Sequence, residues 1–408
     1  MPSTFPELHP CDNEKLRRIA SELGAPGVES MQRFQLIQHI VEASGRDQGV
    51  LYGSGTLEIH SEGFGFLRKA SNNFLAGGDD IYVSQSQIRR FSLGTGDTVI
   101  GQMRPPKEGE RYPALLRVES VNADTPNSES ASFESLTAIY PDDRIDLDGD
   151  PDLEAIDMAA PIGLGQRGLL VAQPRTGRVA LLRKLANRLA KHDDLTATVF
   201  LVGERPEEIH EWGKTTHTEV ISTPFDEPPG RHVQVADMVF ARARRMAERG
   251  EDVVLIVDSL TRLLRFSQAD RPSTGRDVLG IEAAAIHDLR RYMGAARAFE
   301  EGGSLTVIGV VSDPEGRMGA ALLEDLQDVV NWRLTLTRVI ADNEITPPID
   351  IHQSGTLREE RMIQSDDEKA RRETWRSEQQ GDAVEDARKL IAFCASNPAT
   401  VESSSDGA

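Results

Sequence analysis

The strongest constraint on the fold is a series of apolar runs in the second half of the chain. Four runs of five to eight residues are almost wholly apolar, and stretches with helical spacing separate them. Strands buried on both faces of a parallel sheet have this composition, because helices cover both faces. Residues 159–364 are therefore predicted to form an α/β domain. The runs are GLLVA (168–172), TVFLVG (198–203), DVVLIVD (252–258) and SLTVIGVV (304–311).

The first 124 residues have other periods. Asp12 or Asn13 is placed to cap a helix that Gly24 ends, and Ser30 to cap a second one. Residues 1–49 are therefore predicted to be helical. Over residues 50–124, short runs alternate apolar and polar side chains between Gly, Asp, Pro and Asn clusters, which predicts about five strands of a small barrel.

Two further segments are set apart by composition. Residues 125–158 contain ten acidic side chains against one basic residue. A calcium loop is excluded there, because Gly149 stands at the fourth position of a loop that needs glycine at the sixth. We interpret this segment as a solvated acidic linker. Residues 365–408 are polar and helix-prone, with a tail whose composition predicts disorder.

Net charge restricts the partners. With 46 basic and 66 acidic side chains, the formal charge is −20, which argues against binding to an anionic membrane. Nucleic acid would therefore need a local patch, and residues 51–123 are neutral, with eight acidic and eight basic side chains. No run approaches the length of a membrane helix and no signal peptide is evident, so we expect a cytoplasmic protein. Cys11 and Cys394 are too far apart in sequence to indicate a disulfide framework or a zinc cluster.

One barrel strand carries a pattern that suits nucleic acid. Phe64, Phe66 and Arg68 alternate along it and share one face, where two rings would stack on bases and a guanidinium would meet phosphate. The alternative is that both rings line the barrel core. Other candidates for the same face are Gly63 and Gly65, which would leave the rings unobstructed, and Tyr82, Arg111 and Tyr112.

The first apolar run of the α/β domain leads into QPRTGRV and a helix, the setting of a phosphate-binding loop. Such a loop normally ends Gly-Lys-Ser/Thr, with the hydroxyl on Mg²⁺. Here Arg178 keeps the charge in a longer, planar group, and Val179 has no oxygen with which to ligate a metal. Asp258 and Glu204 end two other strands, where a carboxylate can hold Mg²⁺ through water or activate a water molecule. The alternative is an ordinary strand–turn–helix with charged strand ends.

Eight ordered blocks within residues 10–365 resemble the Rho family of bacterial transcription termination factors. The resemblance implies an N-terminal helical domain, an OB/cold-shock-like domain that binds single-stranded RNA, and a RecA-like motor that uses ATP and Mg²⁺. It also implies a homo-hexameric ring that acts on the RNA polymerase elongation complex. The blocks are EGFGFLR (62–68), DDIYVSQSQIRRF (79–91), RPPKEGERY (104–112), PIGLGQRGLLVA (161–172), GERPEEI (203–209), STPFDEPPGRHVQVADM (222–238), DSLTRL (258–263) and GAARAFEEGGSLT (294–306).

The same resemblance implies site residues, none of them a direct metal ligand. The catalytic residues would be Glu204, Asp258 and Arg262. The residues that bind ATP would be Gly163, Leu164, Gly165, Gln166, Arg167, Gly168, Arg175, Thr176, Gly177, Arg178, Val179, Ala180 and Arg205. The residues that bind RNA would be Gly63, Phe64, Gly65, Phe66, Leu67, Arg68, Asp80, Ile81, Tyr82, Glu110, Arg111 and Tyr112, with Arg276 and Arg317 in the central channel.

The chain departs from the family pattern in the motor. Besides the altered phosphate loop, two arginines that the family inserts into a neighbour's ATP site align with Glu344 and Leu357, while Arg338 remains. An arginine supplied in trans contributes about 10³–10⁵ in rate, and 10³ equals about 4 kcal/mol of barrier. The hypothesis is an intact RNA platform with a weak or absent ATPase. Alternatives are a slow but working terminator, an RNA-binding paralogue that modulates an intact Rho or joins it in a mixed ring, and a relic with neither activity.

Overall fold

The computed structural model describes residues 5–8, 10–28, 31, 33–47, 49–126, 131–147, 149–270 and 281–396. The chain divides into two compact units, the first made of residues 1–136 and 233–251 and the second of residues 137–232 and 252–408. Three features predicted from the sequence, the Ser30 cap, Arg276 and the tail from residue 397, lie outside the described residues.

The first unit begins with three helices, α1 (Phe5–Leu8), α2 (Asn13–Glu22) and α3 (Arg33–Asp47). Asp12 caps α2, because its carboxylate accepts a hydrogen bond from the backbone N–H of Lys15 at 2.7 Å. The apolar faces of these helices form one small core, which contains Leu8, Leu16, Ile19, Ala20, Leu36, Ile37, Ile40 and Val41.

Next in the first unit is the predicted five-stranded barrel, which is closed. Its strands follow the order β1-β2-β3-β5-β4 around the barrel, and only the β3–β5 pair is parallel. Aliphatic side chains such as Leu57 and Leu67 fill the interior. The elements are β1 (Tyr52–Ile59), β2 (Gly65–Arg68), β3 (Ile81–Val83), α4 (Gln85–Arg90), β4 (Thr98–Arg104) and β5 (Ala114–Val121).

The second unit is built on a nine-stranded sheet. Its main path has the order β14-β13-β7-β12-β10-β8-β9, and every pair from β13 to β9 is parallel. The strands are β6 (Ala138–Ile139), β7 (Arg167–Ala172), β8 (Leu195–Glu204), β9 (Glu219–Pro224), β10 (Asp252–Asp258), β11 (Arg297–Phe299), β12 (Ser304–Ser312), β13 (Trp332–Leu336) and β14 (Gly355–Thr356). The predicted parallel α/β sheet is thus confirmed.

Helices cover both faces of this sheet. Ile308 and Val310 of β12 belong to the core cluster on one face. Gly309 between them points to the other face, where an added Cβ would lie 2.4 Å from Leu260. The helices of the second unit are α5 (Pro151–Ala159), α6 (Arg178–Leu189), α7 (Pro206–Thr215), α9 (Leu260–Asp270), α10 (Ala283–Gly294), α11 (Arg317–Leu326), α12 (Arg338–Ala341), α13 (Asp366–Ser377) and α14 (Ala383–Ser396). Helix α8 (Pro229–Ala247) belongs mostly to the first unit.

Residues 125–158 differ from the solvated linker that their acidic composition predicts. Their helix α5 buries Leu153, Ile156 and Met158 in the core of the second unit, and β6 pairs with β11. Three or four apolar residues per two turns suffice to bury one helix face, whatever the charge of the other positions. The number of acidic residues therefore does not indicate that this helix is packed in the core.

Buried charges of α5 are paired with arginines. Asp157 meets Arg372 of α13 at 2.6 Å and Arg144 at 2.8 Å, while Glu154 meets Arg371 at 3.2 Å. Burial raises the pKa of the Asp157 carboxyl, and the two arginines beside it act in the opposite direction. Helices α13 and α14 are thereby part of the same core, which also contains Trp375. Among the described residues, no helix is long and apolar enough to cross a membrane.

Candidate nucleic-acid and nucleotide sites

Four aromatic rings lie together on one side of the barrel. Phe66 of β2 contacts Phe64, Tyr82 and Tyr112, with ring centroids 5.8, 6.0 and 4.9 Å apart. Phe64 also contacts Tyr82 at 5.8 Å. All four rings are partly exposed. Edge-to-face and tilted contacts of this kind hold rings in fixed positions while leaving π-faces accessible.

The alternate side chains of the same strands point the other way and fill the barrel. Leu67 and Ile81 are buried members of its core cluster, whereas Phe66 and Tyr82, which are paired across β2 and β3, point outward. The alternative in which both phenyl rings are sealed in the core is therefore wrong. Leu67 and Ile81 support the surface from beneath rather than contacting a ligand.

A fifth ring, absent from the sequence prediction, completes this surface. His60 stacks on Phe64 with centroids 5.2 Å apart and planes at 14°, and meets the edge of Phe66 at 5.5 Å. The turn between β1 and β2 places it there, because the His60 N–H donates to the carbonyl of Phe64 at 2.8 Å. The sequence contains one sign of this contact, an aromatic ring four residues before Phe64 with Gly63 in the turn between them. We call His60, Phe64, Phe66, Tyr82 and Tyr112 the aromatic platform.

Arg68 does not face a phosphate as its position on the strand predicts. Its side chain is 4% exposed and is held between two carboxylates, donating to Glu58 at 2.6 Å and forming a short contact with Asp80. Asp80 also accepts from the N–H of Gly77 at 2.8 Å. Arg68 and Phe66 share the outward face of β2, and the guanidinium carbon lies 4.9 Å from the centre of the Phe66 ring, so the ion pair supports the platform from the side. Arg68 and Asp80 thus position the ring.

The two glycines beside the rings are required by the backbone, not by the need to leave the rings unobstructed. Gly63 has φ +88°, a left-handed turn conformation in which other residues are strained. Gly65 lies against β1, and a Cβ there would be 2.7 Å from the carbonyl oxygen of Glu58. Both positions therefore need glycine for the tight β1–β2 hairpin.

At the edge of the platform, Glu110 is paired within its own loop. Both of its oxygens accept from Arg104, at 2.5 and 2.9 Å, and one also accepts from the N–H of Lys107. The hydrogen bonds from Arg104 and Lys107 lower the pKa of Glu110 to about 2. This leaves exposed Arg111 beside the Tyr112 ring, with its guanidinium carbon 5.3 Å from the ring centre.

In the second unit, the loop from residue 173 to 177 joins β7 to α6. Gly177 caps α6 with φ +73°, and the Thr176 hydroxyl donates to the carbonyl of Gln173 at 2.8 Å. The first N–H groups of α6 are thus open to an anion, as in a phosphate-binding loop. Arg175 and Ala180 are exposed at this end.

Arg178, the first residue of α6, turns toward β10, which is separated from β7 by β12 in the sheet. Its Nη2 lies 3.1 Å from Oδ2 of Asp258, the last residue of β10. Asp258 is 1% exposed, and burial raises the pKa of its carboxyl while Arg178 opposes that shift. Val179 packs against the core cluster and offers no oxygen.

The Glu204 carboxylate at the end of β8 is also paired. Arg262 of α9 donates to both of its oxygens, at 2.5 and 3.4 Å, and to the carbonyl of Val202 at 3.3 Å. The structure therefore brings Glu204 and Arg262 together, two residues to which the family resemblance assigns catalytic roles. Arg205, next in the chain, is exposed.

Comparison with known proteins identifies the family. The RNA-binding domain of the Rho termination factor family matches residues 53–127, and the nucleotide-binding domain of the ATP synthase alpha/beta family matches residues 152–356. The transcription termination factor Rho of Pseudomonas aeruginosa is 44% identical over 358 residues, 84% of this chain and 85% of that protein. That of Escherichia coli K12 is 42% identical over 365 residues, 87% of each chain. The chain belongs to the Rho family of transcription termination factors.

Solved structures agree on the motor fold. A prototypical ATPase from the type III secretion system of pathogenic bacteria aligns with a TM-score of 0.54 at 20% identity, covering 70% of this chain and 89% of that one. The assembled secretion ATPase EscN of enteropathogenic E. coli aligns with a TM-score of 0.52 at 20% identity, covering 71% and 74%. The predicted OB-like RNA-binding domain and RecA-like ATPase domain of a Rho protein are thus confirmed.

The residues at this Rho chain's phosphate loop do not fit the Mg²⁺ that the loop motif implies. Val179 stands where a hydroxyl would ligate the ion. The Oδ2 atom of Asp258 faces a guanidinium, and both oxygens of Glu204 face Arg262. Within the part of the chain that the structure describes, no group of three or more His, Cys, Asp or Glu residues is arranged to hold a metal.

One predicted ATP-binding segment lies far from the phosphate loop in the same subunit. Residues 163–168 precede or begin β7, whereas the loop follows its last residue, and six residues of strand span about 20 Å. Their polar groups are engaged locally. The Gly163 N–H donates to Gln166 Oε1 at 3.1 Å, and the Gly165 N–H donates to Thr306 Oγ1 at 2.8 Å. A single subunit does not bring Gly163 to Gly168 and Arg175 to Ala180 together.

The remaining motor residues lie on the surface. Arg317, at the start of α11, is exposed, as are Glu344 and Leu357, the latter 65% exposed. The Arg338 guanidinium donates to Asp342 in the same short helix at 2.6 Å. The one arginine that remains of the three expected for a neighbour's site is therefore paired within its own subunit.

Proposed function

We propose that this Rho protein binds single-stranded RNA on the aromatic platform and ATP at the phosphate loop, and that it hydrolyses ATP much more slowly than a Rho with Gly-Lys-Thr. The observation that carries the second half is the ion pair between Arg178 and Asp258. It places a cation of this chain against the carboxylate that would associate with Mg²⁺. Hydrolysis then lacks both the usual lysine and the usual metal contacts.

The two positions that would act on a neighbouring subunit's ATP support the same proposal. Leu357 presents an exposed aliphatic side chain, and Glu344 would bring a negative charge to a neighbour's phosphates. An arginine supplied in trans is worth about 10³–10⁵ in the rate of phosphoryl transfer. Glu204 alone cannot replace this contribution, and here its oxygens are paired with Arg262.

The assembly and partners follow from the family. We propose a hexameric ring in the cytoplasm, acting on RNA that emerges from the RNA polymerase elongation complex. The partly exposed rings of the platform suit unpaired pyrimidine-rich RNA, because stacking tolerates many base sequences and needs no duplex.

Steady-state ATP hydrolysis with poly(C) tests the proposal. The natural protein should turn over about 10³-fold more slowly than the quadruple variant Arg178→Lys, Val179→Thr, Glu344→Arg, Leu357→Arg, if the rest of the motor is competent. The variant carrying only Glu344→Arg and Leu357→Arg is the matched control, since it leaves the phosphate loop unchanged. Robust RNA-stimulated turnover by the natural protein would refute the weak-motor proposal.

A second candidate function is that of a ring subunit that works beside an intact Rho chain. It is favoured by the pattern of losses, because Glu204 is present while two groups that act on the neighbour, at positions 344 and 357, are replaced. Active partners would then supply the missing arginines. Co-expression with a Rho that has Gly-Lys-Thr, followed by native mass spectrometry, should give mixed hexamers. Termination by the homogeneous ring alone would contradict it.

A further inference from the structure

The nucleotide site of this chain contains a fixed cation where a phosphate loop normally arranges oxygens around a metal. The Arg178 side chain is largely buried, and its Nη2 lies 3.1 Å from Asp258 Oδ2. The next residue, Val179, packs against the core. A guanidinium therefore takes the place between the first turn of α6 and the end of β10.

Other carboxylate oxygens near this strand edge are engaged as well. Glu204 ends β8, the strand hydrogen-bonded to β10, and Arg262 donates to both of its oxygens. An incoming Mg²⁺ would have to displace Arg262 from Glu204, and at Asp258 it would meet the Arg178 guanidinium 3.1 Å from Oδ2, although neither Asp258 oxygen has a hydrogen-bond partner among the described residues. Separating such a pair within a protein costs several kcal/mol, because it leaves a poorly solvated charge.

Arg178 has donors left for a ligand. Guanidinium carries five N–H donors in a planar fork that matches phosphate oxygens two at a time. Of these, Nη2 faces Asp258, whereas the buried Nε has no hydrogen-bond partner in the described parts of the chain. The open N–H groups of α6 after Gly177 point to the same place and also favour an anion.

We propose that this site binds ATP without Mg²⁺, with Arg178 supplying the positive charge that the metal supplies in other phosphate loops. The inference rests on the proposed function, in which the motor binds nucleotide but hydrolyses it slowly. It adds the ionic form of the ligand, namely the free nucleoside triphosphate rather than its magnesium complex. Asp258 holds the guanidinium in place and does not act as a metal-associated group.

The inference is tested by measuring the Kd of ATP for the full chain by calorimetry, once with Mg²⁺ and once with EDTA. The natural protein should bind with a Kd that differs by less than about threefold between the two conditions. The variant Arg178→Lys/Val179→Thr should bind at least about tenfold more tightly with Mg²⁺ than with EDTA, because it regains the hydroxyl ligand and frees Asp258.

Two single variants separate the charge at the site from charge elsewhere on the same helix. Arg178→Ala should weaken binding in EDTA by about tenfold or more, whereas Lys184→Ala, which removes a cation further along α6 that pairs with Asp150 and Asp152, should leave it within about threefold. Magnesium-dependent binding by the natural protein, or no binding in either condition, would overturn the inference. The weak-motor proposal is judged separately by turnover, so slow hydrolysis with magnesium-dependent binding would leave it standing.

Discussion

The aromatic platform and the nucleotide site use ion pairs in opposite ways. Beside the platform rings, Arg68 is buried between Glu58 and Asp80, and the rings themselves remain partly exposed. In the nucleotide site, the residues that would meet phosphates and metal pair with one another instead, as Arg178 does with Asp258. A buried ion pair that borders a binding surface shapes that surface, whereas one among the ligand-binding groups competes with the ligand.

The difference follows from what each ligand requires. Stacking on bases needs accessible π-faces held at fixed positions, and a buried ion pair beside the rings provides that support without being exposed itself. Phosphoryl transfer needs charges aimed at the phosphates and metal. Under the proposed function, the first site is therefore suited to binding, while the second is poorly suited to catalysis.

The largest expected effect concerns the two central rings. Phe64→Ala with Phe66→Ala should weaken binding to oligo(C) by about 2–6 kcal/mol, at least about 30-fold in Kd, since each lost stack costs about 1–3 kcal/mol. Fluorescence anisotropy would measure it. Phe225→Ala, which removes an exposed ring of the other unit, is the control. Unchanged affinity in the double variant would show that RNA does not stack on these two rings, and the comparison between the two sites would then fail.

Arg68→Ala should act on the fold of the barrel. Removing one partner of a buried ion pair costs about 3–5 kcal/mol, because it leaves Asp80 uncompensated. Hydrogen exchange of the β1 and β2 amides should accelerate accordingly. Arg111→Ala, on the exposed platform edge, should leave exchange unchanged within about 0.5 kcal/mol and lower RNA affinity instead. The reverse order would mean that Arg68 contacts RNA directly.

His60 offers a smaller effect that tests the extent of the platform. His60→Ala should weaken oligo(C) binding by about 1 kcal/mol, roughly fivefold, through loss of one ring face. His60→Phe should retain most of the affinity, because a phenyl ring can take the same stacked position. Equal weakening by both substitutions would show that the imidazole nitrogens, rather than stacking, matter.

The smallest effect is the titration of Glu110. Its pKa of about 2 lies below the ordinary 4.5, so its pairing with Arg104 is stabilising above pH 4.5 and is lost as the pH falls from there through about 2. NMR of the Glu110 carboxyl carbon should show a midpoint near 2. Arg104→Gln should move that midpoint upward, toward 4.5. A natural midpoint near 4.5 would mean that the loop pairing does not form in solution.

Much of the fold could be read from the sequence because it depends on local periodicity. Alternation over β1 to β5 and the apolar runs of β7, β8, β10 and β12 predicted the barrel and the parallel sheet. The prediction of a solvated linker is wrong because it rests on the charge of the segment and not on the spacing of Leu153, Ile156 and Met158 in α5. Whether a helix packs depends on a partner surface, and that partner is distant in sequence.

The site was predicted unevenly for the same reason. Strand parity alone put Phe64 and Phe66 on one face, and residue chemistry alone excluded Val179 as a metal ligand. The roles of Arg68 and His60 depended on what lies across the hairpin, and the role of Arg178 on a strand eighty residues away.

The sequence by itself determined the alternation of strands and helices, the outward parity of the platform rings, and the loss of the loop hydroxyl, because these are properties of neighbouring residues. Only the tertiary structure decided which charges are free. Arg68 and Arg178 have the same side chain, and each is fixed by carboxylates that the fold brings beside it. Ion pairing depends on distances of a few ångströms between residues far apart in the chain, and those distances exist only in the folded protein.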